Sequence, residues 1–275
     1  MPETVSAPRW LPAPVGGASW RLLAEHAPEP AAGAAAGEPI RVFENTGDGA
    51  RLYVEGDVVQ SHALPGGESL VPYVRAMRDL LRLAGARRVA LLGGAGGTLA
   101  TMLARHGAAC VVVDVNPAAF AVGRAYFWLP PAVECVAADA GAWLAAGGPD
   151  AAPFDVPLFD AIVLDAYGPD GRVPAHLAGA DFFRLARRRL APGGLVLANA
   201  YAEDAEDRLP DGMAAAMAAA GLPSVILDGG EGEEGNNILV VGGRFFAGWL
   251  PLPRDDRAGA AWYDAERFRR CRAPR

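Results

Sequence analysis

The sequence predicts an α/β protein built on a Rossmann-like, doubly wound sheet with a terminal antiparallel hairpin. Four apolar residues, 89–92, run directly into the glycine-rich segment 93–97, and a helical pattern of apolar residues follows. Strand and helix patterns then alternate along the chain, which is typical of a parallel sheet with helices on both faces. The last apolar stretches, 224–227 and 237–241, have the spacing of an antiparallel pair.

Each element of the alternating series is predicted from its periodicity and its boundaries. Consecutive apolar residues indicate buried strands, and apolar residues that recur every three or four positions indicate helices. Asn116 followed by Pro117 marks the start of a helix, because asparagine caps helices and proline fits their first turn. The predicted strands are 88–92, 109–113, 132–136, 159–164 and 194–199, and the predicted helices are 69–84, 97–106, 117–127, 140–146, 180–190 and 210–221.

The composition of the chain predicts four regions. Residues 1–38 are rich in proline, alanine and glycine, which predicts a flexible N-terminal segment. Short alternating stretches separated by tight-turn signals predict a small N-terminal β-hairpin subdomain over 39–66. The Rossmann-like domain is predicted over 67–245. The charged stretch 246–275 is predicted to be a peripheral C-terminal tail that is helical in part.

The overall composition excludes several classes of protein. The 275 residues are 52% hydrophobic and carry a net charge of −7, which predicts a globular protein that binds neither nucleic acid nor a membrane surface. The sequence shows no long uncharged apolar run and no signal-peptide pattern, so a cytoplasmic location is expected. All 25 basic residues are arginine, which excludes Schiff-base chemistry on lysine. The histidines and cysteines are scattered, and no metal site is predicted.

Polar residues follow the predicted strands at the edge of the sheet where this type of fold binds ligands. Asp114 comes about 20 residues after the glycine-rich segment, which is the spacing of a ribose-binding acid, and no lysine follows the glycines as a phosphate-binding loop requires. Asp139, Asp165 and Asn199 follow the next three strands. One carboxylate can accept both ribose hydroxyls, a second an adenine amine, and a third can deprotonate an amine. The sequence therefore predicts a nucleoside site beside an electrophilic centre, with helix capping as the alternative role for Asp139.

Several segments, taken in order, resemble the spermidine synthase family and its relatives among the class I S-adenosylmethionine-dependent transferases. The resemblance spans residues 50–242. Before the fourth strand it covers an N-terminal hairpin (52–61), a substrate-side tyrosine (Tyr73), a glycine loop (93–99), a ribose-acid segment with the following helix (114–127) and an adenine-side pair (139–140). It then covers the strand with a proton-accepting aspartate (159–165) and two segments after that strand (181–183 and 190–195).

The resemblance implies a cofactor and a set of site residues. The implied cofactor is S-adenosylmethionine or its decarboxylated form, with no metal, and the resemblance also implies a homodimer that acts on a small-molecule acceptor. Asp165 is implied as the catalytic proton acceptor, and Tyr73 and Tyr167 are implied as substrate-binding residues. The implied cofactor-binding residues are Gln60, Gly93, Gly94, Ala95, Gly97, Asp114, Val115, Asp139 and Ala140.

Three positions depart from the family pattern on the acceptor side. Gly96 stands where the family has an aspartate that faces the aminopropyl amine, and Val74 replaces a polar residue. Gly168 stands at the second aspartate of a DxxDP pattern, which Asp170 could replace from two residues further on. A polyamine is at least a dication, so the loss of two carboxylates makes a poor diamine pocket.

These departures favour transfer of an alkyl group, most simply methyl, from S-adenosylmethionine to a small-molecule nucleophile. One alternative is a polyamine aminopropyltransferase (spermidine synthase) that uses decarboxylated S-adenosylmethionine. Another is a non-catalytic nucleoside-binding homologue. A nicotinamide-dependent oxidoreductase is disfavoured, because its sheet would continue with parallel strands rather than with an antiparallel pair.

Overall fold

The computed structural model describes residues 19–27, 38–146, 158–168, 170–203, 207–227, 236–243 and 268–270. These residues form a four-stranded antiparallel sheet and an eight-stranded, mostly parallel sheet. The predicted α/β class is therefore confirmed. Within the described ranges, no helix is both long enough and apolar enough to cross a bilayer.

The N-terminal sheet has one strand more than the sequence predicts. Its strands pair in chain order and are β1 (Trp20–His26), β2 (Ile40–Asn45), β3 (Arg51–Glu55) and β4 (Val58–Ala63). The prediction of a flexible segment is wrong for β1, because Trp20 is buried against Phe43, Leu52 and Val54. Composition does not reveal this packing, since the surrounding residues are those of a connector.

The larger sheet and its helices follow the predicted series closely. The elements are α1 (Pro72–Leu83), β5 (Arg88–Leu92), α2 (Thr98–Arg105), β6 (Ala109–Asp114), α3 (Pro117–Tyr126), β7 (Glu134–Ala137), α4 (Ala140–Ala146), β8 (Phe159–Leu164), α5 (Ala175–Ala178), α6 (Ala180–Arg188), β9 (Leu190–Ala202), α7 (Leu209–Ala219), β10 (Ser224–Leu227), β11 (Asn236–Gly243) and β12 (Phe268–Arg270).

The strand order of this sheet is β12-β10-β11-β9-β8-β5-β6-β7. The strands from β9 to β7 pair in parallel, and β9, β11, β10 and β12 pair antiparallel, which confirms the doubly wound sheet and its terminal hairpin. The chain adds β6 and β7 on one side of β5 and then returns to place β8 on the other side. The crevice between β5 and β8 is therefore the switch point at which ligands bind in open α/β sheets.

Three elements differ from the prediction. The short helix α5 lies in the loop predicted to follow Asp165. Strand β9 begins at Leu190, four residues before the predicted strand 194–199. Leu190 pairs with Phe159 and Leu195 pairs with Ala161, so the residues between Leu190 and Leu195 form a bulge. Strand β12 lies in the tail predicted to be helical in part and instead pairs with β10. The rest of that tail lies outside the described residues, as do the acidic residues 231–234 between the two last predicted strands.

Helices cover both faces of the larger sheet. Helices α1 and α2 bury one face around Met77 and Leu103, and α4, α6 and α7 bury the other around Trp143 and Phe183. The two sheets meet at the end of α3, where Phe127 packs edge-on against Tyr53 of β3 at a centroid distance of 6.0 Å. This contact places the β3–β4 hairpin beside the carboxyl ends of β5 and β6.

Candidate active site

The glycine-rich loop between β5 and α2 is a place of close backbone approach. Gly93 has φ +97°, and a Cβ on it would lie 2.1 Å from the backbone oxygen of Asp165. A Cβ on Gly94 would lie 2.8 Å from a methyl carbon of Val112. Gly97, with φ +70°, is the N-cap of α2. Side chains are therefore excluded from most of this loop, which leaves its backbone and the start of α2 open to a ligand.

Asp114, at the end of β6, is held against the glycine-rich loop. Its Oδ2 accepts the Gly94 N–H at 2.7 Å, and its Oδ1 accepts the Asn116 N–H at 2.8 Å. Burial raises the pKa of Asp114, and these backbone hydrogen bonds act in the opposite direction. The cap of α3 is Asn116, whose side chain accepts the Ala118 N–H at 3.1 Å. Asp114 is therefore not the helix cap. Val115 beside it is 59% exposed.

Asp165, just after β8, is the centre of a polar network that spans three elements. Tyr73 of α1 donates its hydroxyl to Oδ2 at 3.2 Å, and Asn199 of β9 donates Nδ2 to Oδ1 at 2.9 Å. Burial raises the pKa of the Asp165 carboxyl, and both hydrogen bonds oppose the increase. Among the described residues, no arginine or histidine forms an ion pair with it.

Tyr167 lies beside this network, but its hydroxyl is already bonded. It donates to the backbone oxygen of Asn199 at 3.2 Å and accepts the Tyr201 N–H at 3.0 Å. These bonds fix the first turn of the loop after Asp165 to strand β9. The hydroxyl of Tyr167 is therefore used within the fold, and its ring packs against the core around Trp143 and Phe183.

One pocket at the switch point brings many of the implied residues together. The implied residues in its lining are Gln60, Tyr73, Gly93, Gly94, Ala95, Gly97 and Asp165. Asp165 is the one charged side chain in that lining as described. The implied residues that do not line it are Asp114, Val115, Asp139, Ala140 and Tyr167, although Asp114 holds the N–H of Gly94, which does.

Asp139, between β7 and α4, has both carboxylate oxygens engaged. Oδ1 accepts the Ala142 N–H at 2.8 Å, which is the capping bond that the sequence offers as an alternative role. Oδ2 lies 2.8 Å from Nε2 of His176 on α5. Burial alone would raise the pKa of Asp139, but the hydrogen bonds from Ala142 and His176 outweigh it and lower the pKa. An adenine amine that approached Oδ2 would share this oxygen with His176.

The structure explains the departures at Gly96 and Gly168 in physical terms. A Cβ on Gly96 would lie 3.0 Å from the Phe127 ring and 3.1 Å from Oγ of Ser61, whose oxygen accepts the Gly96 N–H. A side chain at position 96 would therefore disturb the contact with the hairpin. A Cβ on Gly168 would lie 2.8 Å from Oδ1 of Asp170. The carboxylate of Asp170 thus occupies the space beside Gly168, although it is exposed and accepts the Arg172 N–H at 3.1 Å.

Two further residues lie next to the site. Asn199, which the sequence places after a predicted strand without giving it a role, is fully buried within β9. Glu55, at the end of β3, accepts Nδ2 of Asn116 at 3.0 Å, and burial and the nearby Asp114 raise its pKa. Nothing in the sequence around Glu55 indicates this contact, because the two residues lie 61 positions apart.

The geometry of the pocket and the strand order define a Rossmann-like protein with the spermidine synthase fold. A probable spermidine synthase from Corynebacterium glutamicum superposes with a TM-score of 0.64 at 24% identity, covering 78% of this chain and 81% of that one. The spermidine synthase from Thermotoga maritima superposes with a TM-score of 0.63 at 14% identity, covering 90% and 84%. At these identities the likeness shows the fold.

Sequence comparison points to the same group of proteins. The polyamine aminopropyltransferase of Mycobacterium tuberculosis is 34% identical over an alignment of 171 residues, and the match covers 58% of this chain and 30% of that protein. The relative of the same name from Mycobacterium bovis gives the same values. The match thus spans less than a third of these relatives. No family model matches the chain. The resemblance to spermidine synthases that the sequence predicts is confirmed.

Proposed function

We propose that this protein is a spermidine synthase-like aminopropyltransferase that uses decarboxylated S-adenosylmethionine and an amine acceptor. The observation that carries the proposal is Asp165, a carboxylate in the pocket lining with no cationic partner among the described residues. The departures in the sequence favour methyl transfer. The charge of the pocket and the activity named for the relatives support the alternative, aminopropyl transfer, more strongly.

The electrostatics of the pocket distinguish the two cofactors. A partly buried anion is stabilised by a cation that arrives with the ligand, because the described residues supply none beside Asp165. Decarboxylated S-adenosylmethionine carries a sulfonium and an ammonium, and S-adenosylmethionine adds a carboxylate to them. In the described pocket lining that carboxylate would meet Asp165 and no arginine. The decarboxylated form is therefore the better electrostatic match.

The glycine-rich loop and Asp114 are the proposed nucleoside side of the site. Asp114 would accept the ribose hydroxyls, with Gln60 of the hairpin and the exposed Val115 on either side of the nucleoside. Asp139 and Ala140 would face the adenine, with Oδ2 of Asp139 shared between His176 and the adenine amine. Tyr73 and the ring of Tyr167 would contact the acceptor. The predicted homodimer and the predicted cytoplasmic location stay predictions.

The proposed reaction needs one proton acceptor and accurate placement. Asp165 takes a proton from the acceptor ammonium, and the free amine nitrogen then attacks the propyl carbon bonded to sulfur. The new C–N bond forms as the C–S bond breaks, and the bonding electrons stay on sulfur, which leaves a neutral thioether nucleoside. Since the sulfonium is already activated, the main contribution of the protein is to hold the two reactants in line.

Cofactor preference tests the proposal directly. We expect titration calorimetry to show that decarboxylated S-adenosylmethionine binds at least about tenfold more tightly than S-adenosylmethionine, because like charges repel in a pocket of low dielectric constant. Turnover with a panel of amines should release methylthioadenosine. Methylation of an acceptor with S-adenosylmethionine would instead establish methyl transfer. Cofactor binding without turnover of any amine would support the non-catalytic homologue.

An Asp114→Ala substitution tests the nucleoside side separately. We expect the affinity for methylthioadenosine to fall by about 100-fold, because two hydrogen bonds to a charged acceptor are lost. Methylthioadenosine is the suitable probe, since it lacks the charged tail. Asp181→Ala is the matched control, because the side chain of Asp181 is 93% exposed on α6. Unchanged affinity in the Asp114 variant would refute the ribose-binding role.

A further inference from the structure

Three polar side chains form a row across the middle of the larger sheet. Asp165 follows β8, Asn199 lies in β9, and Asn237 is the second residue of β11. Leu164 pairs with Ala198, and Leu239 pairs with Asn199, so Asn237 lies diagonally across from Asn199 on the same face. This is the face that α1 and α2 cover.

Asn199, the middle residue of this row, donates both of the side-chain hydrogen bonds that connect it. Asn199 donates Nδ2 to Oδ1 of Asp165 at 2.9 Å and to Oδ1 of Asn237 at 2.9 Å. Its own Oδ1 is buried and has no partner among the described residues. Asn199 thus uses its donor twice, while its acceptor stays unused inside the protein.

We propose that Asn199 and Asn237 are positioning residues that hold Oδ1 of Asp165 as a hydrogen-bond acceptor and leave Oδ2, beside Tyr73, to receive the proton. The role in catalysis rests on the proposed function. The effect on Asp165 itself needs no substrate and can be measured in the ligand-free protein.

The orientation of the Asn199 carboxamide decides which of its atoms faces Asp165, because the oxygen and the NH2 group are similar in size but opposite in hydrogen bonding. If the amide of Asn199 turned by 180°, its oxygen would face the carboxylate of Asp165 and repel it. Asn237 opposes this turn, because its own oxygen accepts the same Nδ2 and would meet an oxygen instead. The pair therefore favours the ionised form of Asp165 and resists the effect of burial.

Among the described residues, the other titratable groups that face Asp165 are neutral when Asp165 is ionised. They are Tyr73 from α1 and Tyr167 from the loop after β8. Burial and the charge of Asp165 raise the pKa of both tyrosines, so both keep their protons at neutral pH. The ionisation of Asp165 therefore depends mainly on burial, on Tyr73 and on the amide pair.

The test is an NMR titration of the Asp165 carboxyl carbon in the ligand-free protein, with the signal assigned from the Asp165→Asn variant. We expect Asn237→Asp to raise the pKa of Asp165 by about one unit, because it adds a like charge two hydrogen bonds away. Asn237→Leu should raise it as well, because Asn199 is then free to turn. Ala218→Asp, on the exposed side of α7, adds the same charge at the surface and should leave the titration unchanged.

Thermal unfolding establishes that the variants are folded, and Asn237→Ser is the substitute if the leucine variant is not. An unchanged Asp165 titration in the folded Asn237 variants would overturn the inference. A shifted titration together with no turnover of any amine by the wild type would leave the inference standing and refute the proposed function. If the wild type is active, the acid limb of its kcat/KM profile should move to higher pH in the Asn237 variants by the same amount as the titration.

Discussion

An Asp165→Asn variant is expected to keep its affinity for methylthioadenosine within a few-fold and to lose about 10²- to 10⁴-fold in kcat/KM. The amide has the shape of the carboxylate; its oxygen can still accept from Nδ2 of Asn199, and its NH2 group can donate to the hydroxyl oxygen of Tyr73, so the pocket stays intact. It cannot take a proton from an ammonium group. Steady-state kinetics and titration calorimetry separate the two effects, and equal turnover would show that Asp165 is not the base.

The pH dependence of kcat/KM in the wild type provides a second test of Asp165 as the base. Burial raises the pKa of Asp165, so the carboxyl becomes protonated at a higher pH than an exposed aspartate does. Because only the ionised form accepts a proton, kcat/KM falls as the pH is lowered through this raised pKa. The Asp165→Asn variant should lack that acid limb.

Asp160 provides a matched control on the same strand. Asp160, near the start of β8, accepts the backbone N–H groups of Arg87 and Arg88 at 2.8 Å, far from the pocket. Asp160→Asn weakens these bonds and is expected to lower stability by about 1 kcal/mol. Turnover per folded molecule should stay at the wild-type level. A matching loss of turnover in this variant would mean that β8 as a whole, rather than Asp165, controls the rate.

A Gly93→Ala variant is expected to lose more than about 3 kcal/mol of stability. The added methyl group would lie 2.1 Å from the backbone oxygen of Asp165. That oxygen belongs to the backbone, so no side-chain rotation relieves the overlap, and φ of +97° is strained for alanine in addition. Chemical denaturation measures the loss, and any protein that still folds should bind methylthioadenosine poorly.

Gly85 is the control for the backbone conformation alone. It follows α1 with φ +67°, and a Cβ there would meet nothing within 4 Å. Gly85→Ala is therefore expected to cost only about 1–2 kcal/mol and to leave ligand binding unchanged. If both alanine variants lost the same stability, the close approach of Gly93 to Asp165 would not be the cause.

The order of the elements could be predicted from the sequence because each carries a local signal. Apolar runs that end in Gly93, Asp114 and Asp165 mark strand ends, and these ends meet at one edge of a parallel sheet. For that reason the pocket residue Asp165 could be named before its contacts were known, whereas Gln60 and Tyr73 could be named through the resemblance to the spermidine synthase family. Their functional roles stay predictions.

The elements that the sequence does not predict depend on contacts between distant residues. Strand β1 exists because Trp20 packs on Phe43 and Leu52, across a segment with the composition of a linker. The bulge before Leu195 arises from its register with Ala161 in β8. The bond between Asn199 and Asn237 joins two strands through side chains that give no periodic signal.

The hydrogen bond from Gly96 to Ser61 has a consequence for how the protein opens. Together with the bond between Asn116 and Glu55, it ties the glycine-rich loop and the start of α3 to the small N-terminal sheet. A fluctuation that detaches the hairpin must therefore also loosen the floor of the pocket. A ligand that binds only the closed form stabilises both sheets at once. The two sheets should then show increased protection from hydrogen exchange together, as one cooperative unit, when the pocket is filled.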